Sequence, residues 1–288
     1  SWVRVPEPDA YKLISKGTDT INYIGGNLIG NSISTMTDID THAGCSIPAG
    51  CDTLLLRAGR TPLFTMYSRN ILVRPQEAFC FTITAALSLD SDVLHYTGGE
   101  AGVTCYYDEN TYLTFNVVNN NGRLLLKMSE HIDTATTDAA CIELDTAPAV
   151  TASAHDAPAI PASSLDALSS GLIIELKIVT GYLRRDFSYR ITDTSNMNDF
   201  TGSNAASDNI ASDNTASNNI AFENDTSFTH VCTLENVYYL CDEGLKKGKR
   251  FTGAMHGMYA YLPSHNTAGS TELPDDEQPV YAWFISYN

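Results

Sequence analysis

The sequence is poor in basic residues and has no long apolar run. Of its 288 residues, 17 are Lys or Arg and 34 are Asp or Glu, which leaves a net charge of −17. Nucleic acids and anionic membrane surfaces bind proteins through a basic face. No apolar stretch approaches the ~18 residues of a membrane-spanning helix, and no secretory signal is visible. We therefore expect neither a nucleic acid nor a membrane as a partner.

The seven cysteines form no Cys-x-x-Cys pair. An odd and unpatterned set favours reduced thiols, and with them the cytoplasm over a secreted location, although the location stays undetermined. Cys45 and Cys51 lie six residues apart in a loop, and a small disulfide between them is the alternative. Cys80 and Cys105 lie in strand-like runs, where a cysteine acts as a small buried apolar residue. The chain starts at Ser1 without an initiator methionine, so a processed terminus and a piece of a longer protein are both open.

Motifs of catalysis are missing as well. The sequence has no nucleophile elbow, His-Glu-x-x-His zinc motif, Walker loop or dinucleotide-binding glycine turn. Its seven histidines are scattered, and no two lie closer than nine residues. We expect no catalytic activity of the chain by itself and no cofactor. An enzyme whose carboxylates are brought together only by the fold is the remaining alternative.

What the sequence does contain is a series of short strands. Residues 100–128 (EAGVTCYYDENTYLTFNVVNNNGRLLLKM) predict three strands joined by tight turns, and Asn121-Gly122 is a strong hairpin signal. No segment has the periodicity of a long amphipathic helix, and this pattern predicts an all-β, antiparallel sandwich or barrel. The predicted strands cover residues 53–57, 71–73, 78–89, 102–107, 112–118, 123–128, 171–180, 185–191, 251–262 and 280–287.

Three segments do not fit this pattern. Residues 1–51 are turn-rich and predict an extended lead-in that packs along a β-sandwich of residues 52–288. Residues 134–170 are rich in Ala, Ser, Thr and Pro, which predicts a loop insertion. Residues 204–225 contain a five-residue repeat that starts at Ala206 (ASDNI, ASDNT, ASNNI, AFEND). Small polar residues bury little apolar area, so the repeat predicts a surface loop, with a structural calcium site as the alternative.

Five stretches from residue 52 onward form a recognisable series: residues 52–60 (DTLLLRAGR), 68–79 (SRNILVRPQEAF), 100–113 (EAGVTCYYDENTYL), 242–259 and 282–284 (AWF). In these stretches the chain resembles the carboxy-terminal β-sandwich domain of glycoside hydrolase family 43 β-xylosidases. This domain is a concanavalin A-like jelly roll and is also grouped as carbohydrate-binding module family 91. Pro75 departs from the family, which usually has a second Arg there, and Met255-His256 also departs from the usual residues.

The resemblance implies a non-catalytic domain, because the propeller that carries the catalytic carboxylates of family 43 has no room in this chain. The implied partners are xylan or xylo-oligosaccharides and a family 43 catalytic domain. Sugar sites use flat aromatic faces together with a few polar groups. Side chains alternate along a strand, and this places Tyr106, Tyr112 and Asn116 opposite the apolar residues that we assign to the core. We therefore predict that these three side chains are exposed and contact the sugar; for Tyr106 the alternative is a side chain packed under a loop.

Further candidates carry an alternative each. Tyr259 and Tyr261 form an aromatic strip or pack in the core. Arg69, Gln76 and the neighbouring Arg74 bind sugar hydroxyls, anchor a second domain or form plain surface ion pairs. Trp283 contacts sugar or belongs to the core. The leading hypothesis is a non-catalytic xylan-binding module, and the alternative is a structural domain that stabilises a family 43 catalytic domain without sugar affinity.

Overall fold

The structure, a computed structural model, describes residues 11–14, 21–22, 53–65, 68, 70–144, 171–193, 227–244, 253–263 and 279–287. Two short 3-10 helices, η1 (Asp92–His95) and η2 (Tyr238–Leu240), accompany the strands. The strands in chain order are β1 (Tyr11–Ile14), β2 (Ile21–Asn22), β3 (Thr53–Arg57), β4 (Ile71–Pro75), β5 (Cys80–Ser88), β6 (Glu100–Asp108), β7 (Thr111–Asn120), β8 (Arg123–Ile132), β9 (Ala135–Glu143), β10 (Leu172–Gly181), β11 (Arg184–Asp193), β12 (Thr229–Leu234), β13 (Met255–Tyr261) and β14 (Tyr281–Tyr287).

These strands form two sheets. The first has eight strands in the order β12-β11-β10-β5-β14-β3-β1-β2, and the second has six in the order β4-β13-β6-β7-β8-β9. All pairings between the named strands are antiparallel. The sheets pack face to face, which confirms the predicted antiparallel β-sandwich.

The core lies between the two sheets. Leu113, Phe115 and Val117 of β7 have no exposed surface and belong to it, as their alternation along the strand predicted. Phe115 meets Phe187 of β11 edge to face, with ring centroids 5.4 Å apart and an interplanar angle of 71°. Full burial of such a side chain contributes roughly 1.5–3 kcal/mol, so this contact helps to hold the two sheets together.

The hairpin between β7 and β8 follows from its turn residues. Asn120 pairs with Arg123, which leaves a two-residue loop. Asn121 and Gly122 both have positive φ, at 53° and 87°, as a type I′ turn requires. Asn119 Oδ1 accepts a hydrogen bond from the Gly122 amide at 2.7 Å. The hairpin predicted from Asn-Gly is confirmed.

Several features differ from the sequence-based expectations. Ala135–Glu143 forms strand β9 on the edge of the second sheet, where composition predicted a loop. Its Thr and Ile residues suit a pleated edge, and pairing with β8 decides the outcome. Strand β12 was not predicted either. Of the two cysteines predicted to be buried in strands, Cys105 is buried and Cys80 is exposed. Cys80 is the first residue of β5, which begins beyond the edge of the core.

The predicted lead-in also contributes to the sheet. Strand β1 pairs with β3 and with β2, so two of its segments extend the eight-stranded sheet. The boundary between lead-in and sandwich stays a prediction. The remainder of the predicted insertion, residues 145–170, and the repeat at 204–225 lie outside the described residues.

Candidate functional site

Four of the predicted tyrosines come together on the outer face of the six-stranded sheet. We call this surface, formed by Tyr106, Tyr112, Tyr259 and Tyr261, the tyrosine face. It arises because alternate residues of β6, β7 and β13 point away from the core. Strand register places Tyr106 beside Tyr112. The sequence predicted that Tyr106 and Tyr112 point away from the core between the sheets, and it left open whether Tyr259 and Tyr261 form an aromatic strip or pack in the core.

The tyrosine face is covered, and this corrects the prediction of exposed rings. Tyr106, Tyr112 and Tyr259 are only 2%, 6% and 1% exposed. Leu63 packs on them, and Tyr112 stacks on His131 with ring centroids 4.7 Å apart. Alternation tells which way a side chain points but not which segment lies over it. Tyr261 is the one member of this face that keeps a substantial exposed fraction.

A group of polar side chains lies at one corner of this face, near Tyr261. Glu100 is opposite Tyr261 in the register between β6 and β13. The Asn116 side-chain amide donates to Glu100 Oε2 at 2.7 Å, and Asn116 is 2% exposed, so it too is buried where exposure was predicted. Lys127 forms an ion pair with Asp138 at 2.9 Å. We call Glu100, Asn116 and Lys127 the polar corner.

The electrostatics of the polar corner are unusual for a carboxylate. Burial raises the pKa of Glu100 to about 7, and the Lys127 ammonium and the Asn116 amide oppose this effect without overcoming it. Asn116 Oδ1 is buried and has no hydrogen-bond partner within the described part of the chain. A buried acceptor without a partner costs about 1–3 kcal/mol. The corner therefore combines a desolvated carboxyl group with an amide oxygen that is buried and unsatisfied.

The remaining predicted residues are dispersed. Gln76 is half-buried, and its side-chain amide donates to the Ala78 carbonyl at 2.9 Å. The Arg74 guanidinium lies over the ring of Tyr287, 5.7 Å from its centroid. Trp283 is 5% exposed and packs with Leu55 and Tyr281 on the eight-stranded sheet, away from the tyrosine face. Arg69, Cys45, Cys51 and the repeat lie outside the described residues, so their predicted roles stay predictions.

Most of the exposed large apolar side chains of the described residues lie elsewhere, at one end of the sandwich. We call it the turn end: residues 79–80, 109–111, 132–134 and 181–184, where β5 begins, β10 ends, β7 begins and β8 ends. Sequence reasoning did not find these residues, although two apolar residues in the tight turn at 182–183 were a visible signal. Four exposed apolar side chains lie at or beside this end: Phe79, Tyr182, Leu183 and Tyr238. The fifth, Phe64, stacks on His131 beside the tyrosine face, with ring centroids 5.9 Å apart.

A buried histidine lies between the sheets near the turn end. The His256 ring stacks on Phe81 with centroids 5.1 Å apart, and its Nδ1 is 2.6 Å from the Tyr287 hydroxyl. Burial, together with the nearby guanidinium groups of Arg74 and Arg185, lowers the pKa of His256 to about 4. His256 is therefore neutral at pH 7.

The described residues do not assemble a metal centre. No group of three or more His, Cys, Asp or Glu among them is placed to hold an ion. The same part of the chain contains no helix that is long and apolar enough to cross a bilayer. The calcium alternative for the repeat concerns residues outside this set and stays a prediction.

An antiparallel sandwich of an eight-stranded and a six-stranded sheet is consistent with a concanavalin A-like β-domain. The model of the family described as the β-xylosidase C-terminal concanavalin A-like domain matches residues 39–216, more than half of the chain. The chain belongs to this family of C-terminal domains. The family resemblance inferred from the sequence is thereby confirmed.

Two solved structures with TM-scores above 0.5 show the same fold. The family 43 protein BlXynB from Bacillus licheniformis has 20% identity and a TM-score of 0.51, and the match covers 82% of this chain and 32% of that one. Its K247S mutant gives 18% identity, a TM-score of 0.51 and coverages of 83% and 32%. The xylan β-1,4-xylosidase from Bacillus halodurans C-125 has 15% identity, a TM-score of 0.49 and coverages of 82% and 32%. This chain thus spans about a third of the length of those proteins. A comparison with curated protein sequences found no match.

Proposed function

We propose that this chain is an accessory, non-catalytic domain whose turn end packs against a family 43 catalytic domain. The observation that carries the proposal is the placement of the exposed apolar side chains. Soluble domains rarely leave clustered apolar side chains in water unless a partner covers them. Exposed rings at the turn end and covered rings on the tyrosine face favour the structural role over the sugar-binding role.

The centre of this surface is a pair of stacked rings. Phe79 and Tyr182 are 72% and 63% exposed. Their ring centroids are 6.2 Å apart with an interplanar angle of 13°. The Tyr182 amide donates to the Phe79 carbonyl at 2.9 Å, which fixes the two backbones beside each other. With Leu183, which is 42% exposed, they form what we call the docking patch.

The proposed occupant of the docking patch is a family 43 catalytic domain. The family to which the chain belongs consists of C-terminal domains, and this chain covers only 32% of the BlXynB chain. Domain interfaces within one chain bury roughly 600–1,500 Å² and combine apolar with polar contacts. A pair of rigid aromatic rings beside a leucine is suited to form the apolar centre of such an interface.

The test is association with a panel of family 43 catalytic domains produced without their own sandwich domains. We expect complex formation in sedimentation velocity, and loss of the complex in the Phe79→Ser/Tyr182→Ser double variant. Tyr261→Ser, a partly exposed tyrosine distant from the turn end, is the matched control and should bind like the unmodified chain. Binding of the double variant with unchanged affinity, or no complex with any catalytic domain, would contradict the docking proposal.

A second candidate function, binding of xylan or xylo-oligosaccharides, is favoured by the polar corner. The partly exposed ring of Tyr261 beside its register partner Glu100 offers one stacking surface and one partner for a sugar hydroxyl. A sugar ring buries about 50–100 Å² of C–H surface, worth roughly 1–3 kcal/mol, so Kd values near the millimolar range are expected. In affinity electrophoresis on xylan, Tyr261→Ala should abolish retardation. If the unmodified chain is not retarded on any xylan, this second function is wrong.

A further inference from the structure

The two-residue turn between β7 and β8 contains the only Asn-Gly pair of the sequence. Asn121 and Gly122 are both exposed, and both have positive φ. Asparagine side chains are thermolabile. A glycine as the following residue hinders attack on the asparagine side chain least, because it has no side chain of its own. The turn therefore places a chemically reactive pair in contact with solvent.

The reaction open to this pair is formation of a cyclic imide, followed by hydrolysis. The backbone nitrogen of Gly122 attacks Cγ of Asn121 and forms a new C–N bond. The side-chain Nδ2 leaves as ammonia and takes the proton of the attacking nitrogen. Water then opens the ring at one of its two carbonyls. The products are aspartate and isoaspartate, in which the backbone runs through the side chain, and water is the only co-reactant.

The native turn restrains the attacking nitrogen. Asn119 Oδ1 accepts a hydrogen bond from the Gly122 amide at 2.7 Å, and we call this contact the Asn119 clamp. Attack requires the nitrogen to lose its proton and to approach Cγ of Asn121, and both steps break the clamp. The side-chain amide of Asn121 is held as well, since it donates to Asn120 Oδ1 at 3.3 Å. The reaction therefore needs a local opening of the turn.

The acceptor of the clamp is itself held in place. Asn119 is 1% exposed, and its Nδ2 donates to the Leu94 carbonyl at 2.8 Å. Its backbone amide donates to the Gly99 carbonyl at 2.9 Å, and its carbonyl accepts from the Gly98 amide at 2.7 Å. These three bonds attach Asn119 to η1 and to the segment between η1 and β6. Its side chain cannot turn away from Gly122 without losing a buried hydrogen bond.

We infer that Asn121 is a site of spontaneous deamidation and that the Asn119 clamp sets its rate. Isoaspartate adds one carbon to the backbone of the turn, in which strand register pairs Asn120 with Arg123. A type I′ turn fits two residues of ordinary backbone length, so the product should loosen this end of the hairpin. The site lies at the opposite end of β7 from the turn end. It depends neither on docking nor on sugar binding.

The experiment incubates the full chain in mildly alkaline buffer, with and without urea, and follows deamidation of residue 121 by peptide mapping and mass spectrometry. We expect the native chain to react at least about tenfold more slowly than the unfolded chain, which corresponds to ~1.4 kcal/mol of opening free energy. Asn121→Asp keeps a pair suited to a type I′ turn but has no amide, so the mass increase of this peptide should disappear. Equal rates in buffer and in urea would overturn the inference.

Two substitutions of Asn119 separate the clamp from the contact with Leu94. Asn119→Asp and Asn119→Leu both lose the donor to the Leu94 carbonyl, but only aspartate keeps an acceptor for the Gly122 amide. We expect Asn119→Leu to deamidate about threefold to tenfold faster than Asn119→Asp, the effect of one hydrogen bond. Melting curves show whether both variants are folded, and slow hydrogen exchange of the Gly122 amide in the unmodified chain tests the clamp without a substitution. Equal deamidation rates in the two folded variants, or a Gly122 amide that exchanges as fast as in urea, would show that the clamp does not set the rate.

Discussion

Glu100 and His256 should oppose each other in the pH dependence of stability. The native pKa of His256 is about 4 against an ordinary value of 6.5. The unfolded chain therefore binds more protons between these values, and stability falls as the pH drops through this window. The native pKa of Glu100 is about 7 against an ordinary value of 4.5. Here the native state binds more protons, and stability rises as the pH drops from 7 to 4.5.

The two effects have similar size and nearly cancel. At ~1.4 kcal/mol for each pH unit of difference between native and unfolded pKa, each group accounts for about 3 kcal/mol over its full window. Between pH 8 and pH 5, His256 should remove about 2 kcal/mol and Glu100 should add about 2.5 kcal/mol. Their net contribution to the free energy of unfolding is below about 1 kcal/mol, so the pH dependence of the unmodified chain shows neither effect by itself.

Single substitutions should reveal each effect. Glu100→Gln keeps an acceptor for the Asn116 amide but no longer titrates, so from pH 8 to pH 5 it should lose about 2.5 kcal/mol relative to the unmodified chain. His256→Asn should gain about 2 kcal/mol over the same interval. The groups lie on opposite faces of their sheet. Glu100 is also five residues along β6 from Cys105, the register partner of His256, a span of about 17 Å. The double variant should therefore follow the unmodified chain.

Urea unfolding at pH 5, 6.5 and 8 measures these differences. Trp283 is 5% exposed and provides a fluorescence signal for loss of the native structure. Subtracting the free energy of unfolding of the unmodified chain from that of each variant at the same pH removes the contribution of all other titrating groups. If Glu100→Gln follows the pH dependence of the unmodified chain, the Glu100 carboxyl is not desolvated and the reasoning about the polar corner is refuted.

Three further predictions concern the core, the repeat and catalysis. Phe115→Ala should lower the free energy of unfolding by about 3–5 kcal/mol, because it empties the contact with Phe187; a loss below 1 kcal/mol in urea unfolding would show a loosely packed core. Deletion of residues 204–225 should change the melting temperature by only a few degrees, since surface loops tolerate length changes; a large drop, or a calcium-dependent melting temperature of the intact chain, would show a packed or ion-bound segment. The chain should not hydrolyse aryl-xylosides or aryl-arabinosides above background, and turnover that responds to a single carboxylate substitution would contradict this.

The sequence predicted the directions of side chains better than their coverage. Alternation along β7 correctly divided Tyr112 and Asn116 from Leu113 and Phe115, because the pleat of a strand is a local property. It could not predict that Leu63 covers the tyrosine face, since that contact depends on the path of a distant segment. Burial of an outer sheet face is decided by tertiary structure.

The sequence also failed to predict features at the edges of the sheets and in the turns. Strand β9 has a loop-like composition rich in Ala and Thr, and its pairing with β8 rather than its own propensity makes it a strand. The exposed rings of Phe79, Tyr182 and Tyr238 lie in or beside turns, where neither a two-residue nor a 3.6-residue period applies. The docking patch therefore became visible only when the strands were placed in sheets.

The positions of β13 and β14 have a consequence for the folding of a newly made chain. Strand β13 lies between β4 and β6, and β14 lies between β5 and β3, so each is an interior strand of its sheet. The meander β6-β7-β8-β9 needs only neighbours in sequence and can form early. Until residues 281–287 are synthesised, the eight-stranded sheet remains split into two parts. The edges of β5 and β3 that face β14 in the native sheet then have unpaired backbone groups. Such open edges invite pairing with other chains, so a chain truncated before β14 should aggregate rather than fold to a smaller sandwich.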